Sequence, residues 1–309
     1  MYKRIIVPLD GSELAERALP YAEELAGKLG SEVIILNVRR PSEDPDHPEH
    51  RAYLSKMVAT TEQEIKKSPS LPPGEKVKVD SAIIGASSGL LTHPAEEILD
   101  YAEANSVGLI IMATHGRTGI KRWALGSTAE KVARASKCPI LLIRANTDLP
   151  QSVHLDKILV PLDGSKYSEA VLPHIENIAP KLNARIYLLK VVEPTYHIYP
   201  IYDESAYYGG TGMVEMPYTE EEMEPIKAAA EEYIISVNHK LTAEGIKTSH
   251  KVKVGSAAEE IIRAEEEMGV DMVAMSTHGH SGFGRWEHGS IADKVLHGGN
   301  KPLLFVRPQ

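Results

Sequence analysis

The sequence predicts two tandem α/β domains, each a doubly wound, Rossmann-like sheet of five parallel strands with helices on both faces. The chain has 309 residues, a length that suits two domains of about 150 residues better than one. A short segment at residues 6–12 recurs almost unchanged at residues 159–165. In both copies, apolar runs without polar alternation are separated by helical segments, which is the pattern of a parallel sheet buried on both faces.

Further anchors recur in the same order and extend the duplication along the whole chain. They are Leu19-Pro20 with Leu172-Pro173, Thr114-His115-Gly116 with Thr277-His278-Gly279, Gly126-Ser127 with Gly289-Ser290, and Pro139 with Pro302. A polar stretch at residues 145–156 contains Pro150 and has the composition of a linker. We therefore expect one domain at residues 1–146 and the second at residues 154–309.

The elements of the first copy follow from its apolar runs and from its helix end signals. Ser12 is a suitable N-cap and Gly30 a suitable end for the first helix, and Pro94 fits the first turn of a later one. The predicted strands of this copy are residues 4–9, 32–38, 76–84, 108–113 and 140–144, and its helices are residues 13–29, 52–67, 94–104 and 127–136. The second copy has predicted strands at residues 157–162, 185–192, 246–254, 272–276 and 303–306.

The composition argues against several classes of function. The formal net charge is −9 and no strongly basic run occurs, which disfavours nucleic acid and anionic membranes as partners. The single cysteine, Cys138, excludes an internal disulfide, favours a reducing compartment, and is predicted to be a core residue. The chain opens without a signal peptide and its apolar runs are too short to span a bilayer, so we expect a cytoplasmic protein.

An aspartate follows the first strand of each copy, at Asp10 and at Asp163. In doubly wound sheets, ligands bind beyond the carboxyl ends of the strands, where these two side chains are expected. A carboxylate there can hold Mg²⁺ or accept hydrogen bonds from a ligand. The sequence Asp-Gly-Ser is also a good turn and N-cap sequence, so a purely structural role is an open alternative.

A glycine-containing loop follows the fourth strand of each copy and leads into a helix, at residues 116–127 and 279–290. Glycines allow backbone amides to approach an anion, and the helix N-terminus adds partial positive charge. The loops also carry cationic and titratable side chains: Arg117, Lys121 and Arg122 in the first, and His280, Arg285 and His288 in the second. A flexible connection is the alternative, but about twelve residues is long for a connection of this type.

With these two loops in each copy, the chain resembles a tandem universal stress protein along its whole length. ATP-binding members of that family, which is part of a wider adenine nucleotide alpha hydrolase-like group, carry the pattern Gly-x₂-Gly-x₉-Gly-Ser/Thr. Its second and third glycines match Gly116 and Gly126, then Gly279 and Gly289, whereas Ala113 and Ser276 replace the first glycine.

The resemblance implies ATP and Mg²⁺ as cofactors, with the metal at Asp10 and Asp163 and adenine at the backbone of Val38 and Val191. The implied nucleotide-binding residues of the first copy are Pro8, Asp10, Val38, Ala113, Gly116, Arg117, Gly126, Ser127 and Thr128. Those of the second copy are Pro161, Asp163, Val191, Ser276, Gly279, His280, Gly289, Ser290 and Ile291.

No catalytic residue is predicted, because neither His115 nor His278 has a paired acid or nucleophile nearby in sequence. The leading hypothesis is an ATP-binding protein with a regulatory or stress-response role. Two alternatives stay open: a slow Mg²⁺-dependent ATPase, and a module that binds a different small ligand or a protein. The resemblance also implies that the last strands of the two copies pair as a pseudo-dimer within the chain; a homodimer and an unidentified protein partner are further expectations.

The copies differ at two insertions. Residues 85–93 lengthen a loop of the first copy near the expected ligand edge, where they either alter access or form a neutral surface loop. Residues 194–225 follow the second strand of the second copy and contain six tyrosines. Tyrosine suits a lid or a protein contact, and a disordered or merely packed loop is the alternative.

Overall fold

A computed structural model describes residues 1–38, 48–67, 71, 76–85, 93–114, 125–144, 153–202, 211–277 and 290–308. The strands of the first half are β1 (Arg4–Leu9), β2 (Glu32–Val38), β3 (Val79–Ile84), β4 (Leu109–Ala113) and β5 (Ile140–Ile143). Its helices are α1 (Glu13–Glu16), α2 (Leu19–Leu29), α3 (Pro48–Lys67), α4 (Pro94–Ala104) and α5 (Ser127–Ala135).

The second half repeats this order and adds a hairpin. Its strands are β6 (Lys157–Pro161), β7 (Arg185–Val192), β8 (Tyr196–Tyr202), β9 (Thr211–Pro217), β10 (Lys247–Val254), β11 (Met272–Ser276) and β12 (Leu303–Val306). Its helices are α6 (Leu172–Leu182), α7 (Glu220–Ala243), α8 (Ala257–Glu267) and α9 (Ser290–Gly298).

The ten main strands form one sheet in the order β10-β7-β6-β11-β12-β5-β4-β1-β2-β3. The five strands within each half are parallel, which confirms the predicted fold class. The two halves meet where β12 pairs with β5 in antiparallel orientation, so the implied pairing of the last strands is present. In each half the first strand lies between the second and the fourth, which places the switch of strand order beside it.

Helices cover both faces of the sheet, which explains why inner strands such as β1, β4 and β11 are apolar runs, whereas the edge strands β3 and β10 are more polar. Ile5 and Val7 of β1 belong to the core beneath α2, α3, α6 and α7, whereas Ile6 belongs to the core beneath α4, α5, α8 and α9. Cys138 packs against this second core, and burial raises the pKa of its thiol. Among the described residues, no helix is long and apolar enough to cross a membrane.

The prediction of one helix over residues 13–29 is wrong, because the chain forms α1 and then α2 after a break at Arg17 and Ala18. Pro20 lies in the first turn of α2. A proline lacks the N–H that a continuous helix needs, and its ring clashes with the carbonyl four residues earlier. The second copy has the same arrangement, since Pro173 lies in the first turn of α6.

Residues 203–210 of the tyrosine-rich insertion, including Tyr207 and Tyr208, lie outside the described part of the chain, and most of its other residues are in secondary structure. The insertion forms the antiparallel hairpin β8–β9 and the start of α7, which includes Pro225. Tyr196 and Tyr199 are exposed, and the ring of Tyr218 stacks on that of His197 with centroids 4.3 Å apart. Residues 86–92 of the other insertion lie outside the described part of the chain.

Candidate functional site

A cavity of about 730 Å³ lies at the carboxyl ends of β6, β7 and β11 in the second half. This volume is within the range usual for small-molecule sites. Its walls include six of the predicted nucleotide-binding residues, namely Pro161, Asp163, Val191, Ser276, Ser290 and Ile291. Three other predicted nucleotide-binding residues, Gly279, His280 and Gly289, lie outside the described residues, as does His278. The structure therefore brings the described candidates of this copy together around one space.

The Asp163 turn is held by its own hydrogen bonds. The backbone N–H of Ser165 donates to Asp163 Oδ1 at 2.8 Å, and Ser168 N donates to Ser165 Oγ at 3.1 Å. Gly164 between them has φ +87°, a conformation that favours glycine. These bonds support the hypothesis that Asp-Gly-Ser has a structural role as a turn, and the same turn holds the carboxylate of Asp163 at the cavity wall.

The first copy repeats this turn. Asp10 Oδ1 accepts hydrogen bonds from Ser12 N at 3.0 Å and from Ser12 Oγ at 2.6 Å. Ser12 Oγ in turn accepts from Ala15 N at 3.2 Å and caps α1, as its sequence position predicts. The carboxylate of Asp10 is therefore held at the carboxyl end of β1 in the same way as that of Asp163 at β6.

The other described candidates of the first copy lie at neighbouring strand ends. Pro8 belongs to β1, Val38 ends β2 and Ala113 ends β4, and β1 pairs with both of the other strands. Gly126 N donates to Thr114 O at 2.7 Å and so joins the start of α5 to the end of β4. Ser127 and Thr128, two further candidates, form the first turn of this helix. Gly116 and Arg117 lie outside the described residues, as does His115.

Lys190 is a cavity residue that the sequence analysis missed. Its Nζ donates to the backbone oxygen of Asp163 at 2.6 Å, and it lies 3.9 Å from where a Cβ on Gly164 would be. Burial lowers the pKa of Lys190, and the charge of Asp163 opposes that shift. A cation is therefore fixed against the Asp-Gly-Ser turn of the second copy.

The matching position of the first copy holds a neutral residue, Asn37. Register makes the two equivalent, because Leu36 pairs with Pro8 as Leu189 pairs with Pro161. Asn37 Nδ2 donates to Leu9 O at 2.8 Å, and the side chain is 8% exposed. Its Oδ1 has no hydrogen-bond partner within the described part of the chain. Comparison of the two copies position by position, beyond the shared motifs, would have revealed this difference.

A tyrosine–glutamate pair recurs beside both turns and was also missed. In the second copy, the hydroxyl of Tyr233, which lines the cavity, donates to Glu169 Oε1 at 2.9 Å. In the first copy, Tyr53 donates to Glu16 Oε1 at 2.9 Å. Burial, followed by the bond to Glu169, raises the pKa of Tyr233. These pairs tie α7 and α3 to the segment after each aspartate, but the different lengths of the two copies hide them in sequence.

The described residues fit a divalent cation only if a bound phosphate supplies some of its ligands. Within the described ranges, no group of three or more His, Cys, Asp or Glu side chains is close enough to hold a metal alone. Mg²⁺ is commonly held by one or two carboxylates together with phosphate oxygens. A single aspartate per copy near a helix N-terminus fits that mode. The aspartate would supply one oxygen ligand to the cation, and phosphate oxygens would supply others.

Both halves of the chain are similar to known proteins. The family model described as "Universal stress protein family" matches residues 1–144 and again residues 154–307. Universal stress protein MJ0531 of Methanocaldococcus jannaschii is 31% identical over 147 residues, which is 47% of this chain and 83% of that protein. Universal stress protein Slr1230 of Synechocystis is 23% identical over 323 residues, and the match covers 99% of this chain and 100% of that protein.

Solved structures show the same fold. A universal stress protein from Archaeoglobus fulgidus superimposes with a TM-score of 0.65 at 20% identity, covering 99% of both chains. At that identity the likeness concerns the tandem fold alone.

Proposed function

Because this chain belongs to the universal stress protein family, we propose that each half binds an adenine nucleotide, ATP together with Mg²⁺. The two domains of this proposal are residues 1–146 and 154–309. The protein then acts as a cytoplasmic regulator in a stress response, in which nucleotide occupancy changes its contacts with a second copy or with a protein partner. Occupancy has this effect where the nucleotide binds one conformation more tightly than another.

The observation that carries the proposal is the convergence on one cavity. Asp163, Val191 and Ser276 come from the ends of three strands, and Ser290 comes from the start of α9. The resemblance to ATP-binding members of the family implies a nucleotide-binding role for each of these four positions. Their meeting around one space of suitable volume supports a nucleotide as its occupant.

Each part of the cavity has a role in this proposal. The N-terminus of α9 at Ser290 faces the phosphates with its partial positive charge. Asp163 holds the cation that accompanies them. The backbone of Val191 meets the adenine beside the apolar walls. No residue is assigned a catalytic role, and binding itself is the proposed output.

The test is ATP binding to the full chain, measured by equilibrium dialysis in Mg²⁺ buffer, with a substitution that fills the cavity. Val191→Trp places a large ring in the cavity, so the bound nucleotide should fall from two per chain towards one. Val254→Trp is the matched control, because Val254 is 45% exposed at the end of β10 and is not among the described lining residues. That control should leave the stoichiometry at two.

Circular dichroism of both variants checks that the sheet is intact. Equal ATP binding by a folded Val191→Trp variant and the wild type would show that the nucleotide does not occupy this cavity. An absence of ATP binding to the wild-type chain in Mg²⁺ buffer would remove the proposed function altogether.

A further inference from the structure

The strongest difference between the two candidate sites is the charge beside the aspartate. In the second half, the Lys190 ammonium is fixed at the Asp163 turn by its 2.6 Å bond to the Asp163 backbone oxygen. In the first half, Asn37 places a neutral amide at the same register position, bonded to the Leu9 backbone oxygen. The turns themselves are alike, so the two local sites differ by one positive charge at this position.

This charge lies at the turn of the aspartate to which the resemblance assigns the metal. Lys190 lines the cavity with Asp163, and its Nζ lies against the loop that presents that carboxylate. A cation this close offsets the field of the carboxylate locally, because the Coulomb energy falls with distance. Lysine is also a common phosphate ligand that acts as a point charge. The residue at the equivalent position beside Asp10, Asn37, is neutral.

We propose that Lys190 takes the part of the divalent cation in the second half, so that this site binds the nucleotide without a metal while the first site requires Mg²⁺. The inference rests on the proposed nucleotide binding, and for the second half it replaces the Mg²⁺ at Asp163 with the Lys190 ammonium. It makes the two halves of the chain respond differently to free Mg²⁺. The second site stays occupied when Mg²⁺ is scarce, and the first fills only when Mg²⁺ is available.

The experiment is equilibrium dialysis of ATP against the full chain, once with Mg²⁺ and once with EDTA. The wild type should bind two nucleotides per chain with Mg²⁺ and one with EDTA. Val191→Trp should abolish the EDTA-resistant binding, which assigns that binding to the second half. Two nucleotides, or none, bound by the wild type in EDTA would overturn the inference.

Substitutions at the two equivalent positions test the residue itself. Lys190→Asn copies the first half and should bind two nucleotides with Mg²⁺ but none with EDTA, whereas Lys190→Arg keeps the charge and should retain one in EDTA. Full binding of Lys190→Asn in Mg²⁺ shows that the variant is folded, so a purely structural role of Lys190 would not produce this pattern. The reciprocal Asn37→Lys should raise binding in EDTA from one to two.

Retention of EDTA-resistant binding by Lys190→Asn would contradict the assignment to Lys190. If two nucleotides still bind in Mg²⁺ in that case, the proposed nucleotide binding stands and only the metal-free site fails. If the wild type binds no nucleotide in Mg²⁺, the proposed function fails and the inference fails with it.

Discussion

Glu23 is a half-buried carboxylate on α2, and its environment disfavours the charged form. Burial raises its pKa to about 7, and the charge of Glu64 on α3 acts in the same direction. The folded chain therefore holds a proton at Glu23 that the unfolded chain releases near the ordinary pKa of 4.5. Because the folded state binds more protons in this window, stability is greatest below pH 4.5 for this group and is lost as pH rises through about 7.

Glu23→Gln should remove this pH dependence, because glutamine resembles the protonated carboxyl and does not ionise. At pH 8 the variant should be more stable than the wild type by about 1–2 kcal/mol, a value reduced for the partial exposure of the side chain. At pH 4, below the unfolded pKa, the two proteins should be nearly equal. Urea unfolding at both pH values measures the difference, and an equal pH slope in the two proteins would contradict the assignment.

At the residue scale, the sequence could predict what the two copies share but not what distinguishes them. Asp163 was found because Asp10 occupies the same place in a repeated segment. Lys190 was missed because it differs from Asn37 at the equivalent position, and the prediction used only the motifs that the two copies share. The tyrosine of each Tyr–Glu pair lies on a long helix whose offset between copies differs from that of the aspartates, so proximity needed the fold.

At the scale of elements, α7 is the helix that connects the hairpin to the cavity. Its N-terminus carries a capping box in which Glu222 N donates to Thr219 Oγ1 at 3.3 Å and Thr219 N donates to Glu222 Oε2 at 2.8 Å. His197 of β8 also contacts Glu222 Oε1 at 2.8 Å. Farther along, α7 supplies Tyr233 to the cavity wall, so the capped start and the cavity-lining tyrosine belong to the same helix.

Thr219→Ala should destabilise the protein by about 1 kcal/mol, because it leaves an N-terminal amide of α7 without its side-chain acceptor. Thr219→Ser keeps the hydroxyl and should unfold close to the wild type. Urea denaturation of the three proteins at one pH makes the comparison. A Thr219→Ala variant as stable as the serine variant would show that the capping bond contributes nothing measurable.

The buried strands were predicted best. The break in the first helix and the inserted hairpin were predicted worst. The bounds of β1, β2, β7, β11 and β12 agree with the sequence prediction, since each is a short apolar run ended by polar or turn residues. The break before α2 was missed because the helical pattern continues across it, although Pro20 contained the signal. The hairpin β8–β9 was missed because its residues are mostly exposed and no buried face imposes an alternation.

For the whole molecule, the junction between the halves decides how the ten-stranded sheet behaves. β12 and β5 pair through Leu303 with Leu142 and Phe305 with Ile140, among side chains that are almost fully buried. Composition and periodicity predict two domains but not their contact, because an apolar last strand has the same pattern in an isolated domain. The resemblance to tandem relatives supplied that expectation, and the antiparallel pairing agrees with it.

Two equivalent arginines cross this junction with unequal burial. Arg144 follows β5 and is 7% exposed; it donates to the backbone oxygens of Val295 at 3.0 Å and of Leu296 near the end of α9. Burial lowers its pKa to about 10, and the buried Glu265 opposes that shift. Arg307 follows β12, is half-buried, and among the described residues donates to Arg134 O at 3.5 Å.

Arg144→Met should therefore destabilise the chain far more than Arg307→Met. Methionine keeps the apolar stem but leaves the α9 carbonyls without their donor and removes one of the charges that stabilise the buried Glu265. Each buried acceptor left unsatisfied costs about 1–3 kcal/mol. The same change at Arg307 removes one long hydrogen bond and should cost about 1 kcal/mol or less. Urea unfolding of both variants gives the difference directly. Equal destabilisation would contradict the prediction, because the buried contacts of Arg144 would then contribute no more than the single long hydrogen bond of Arg307.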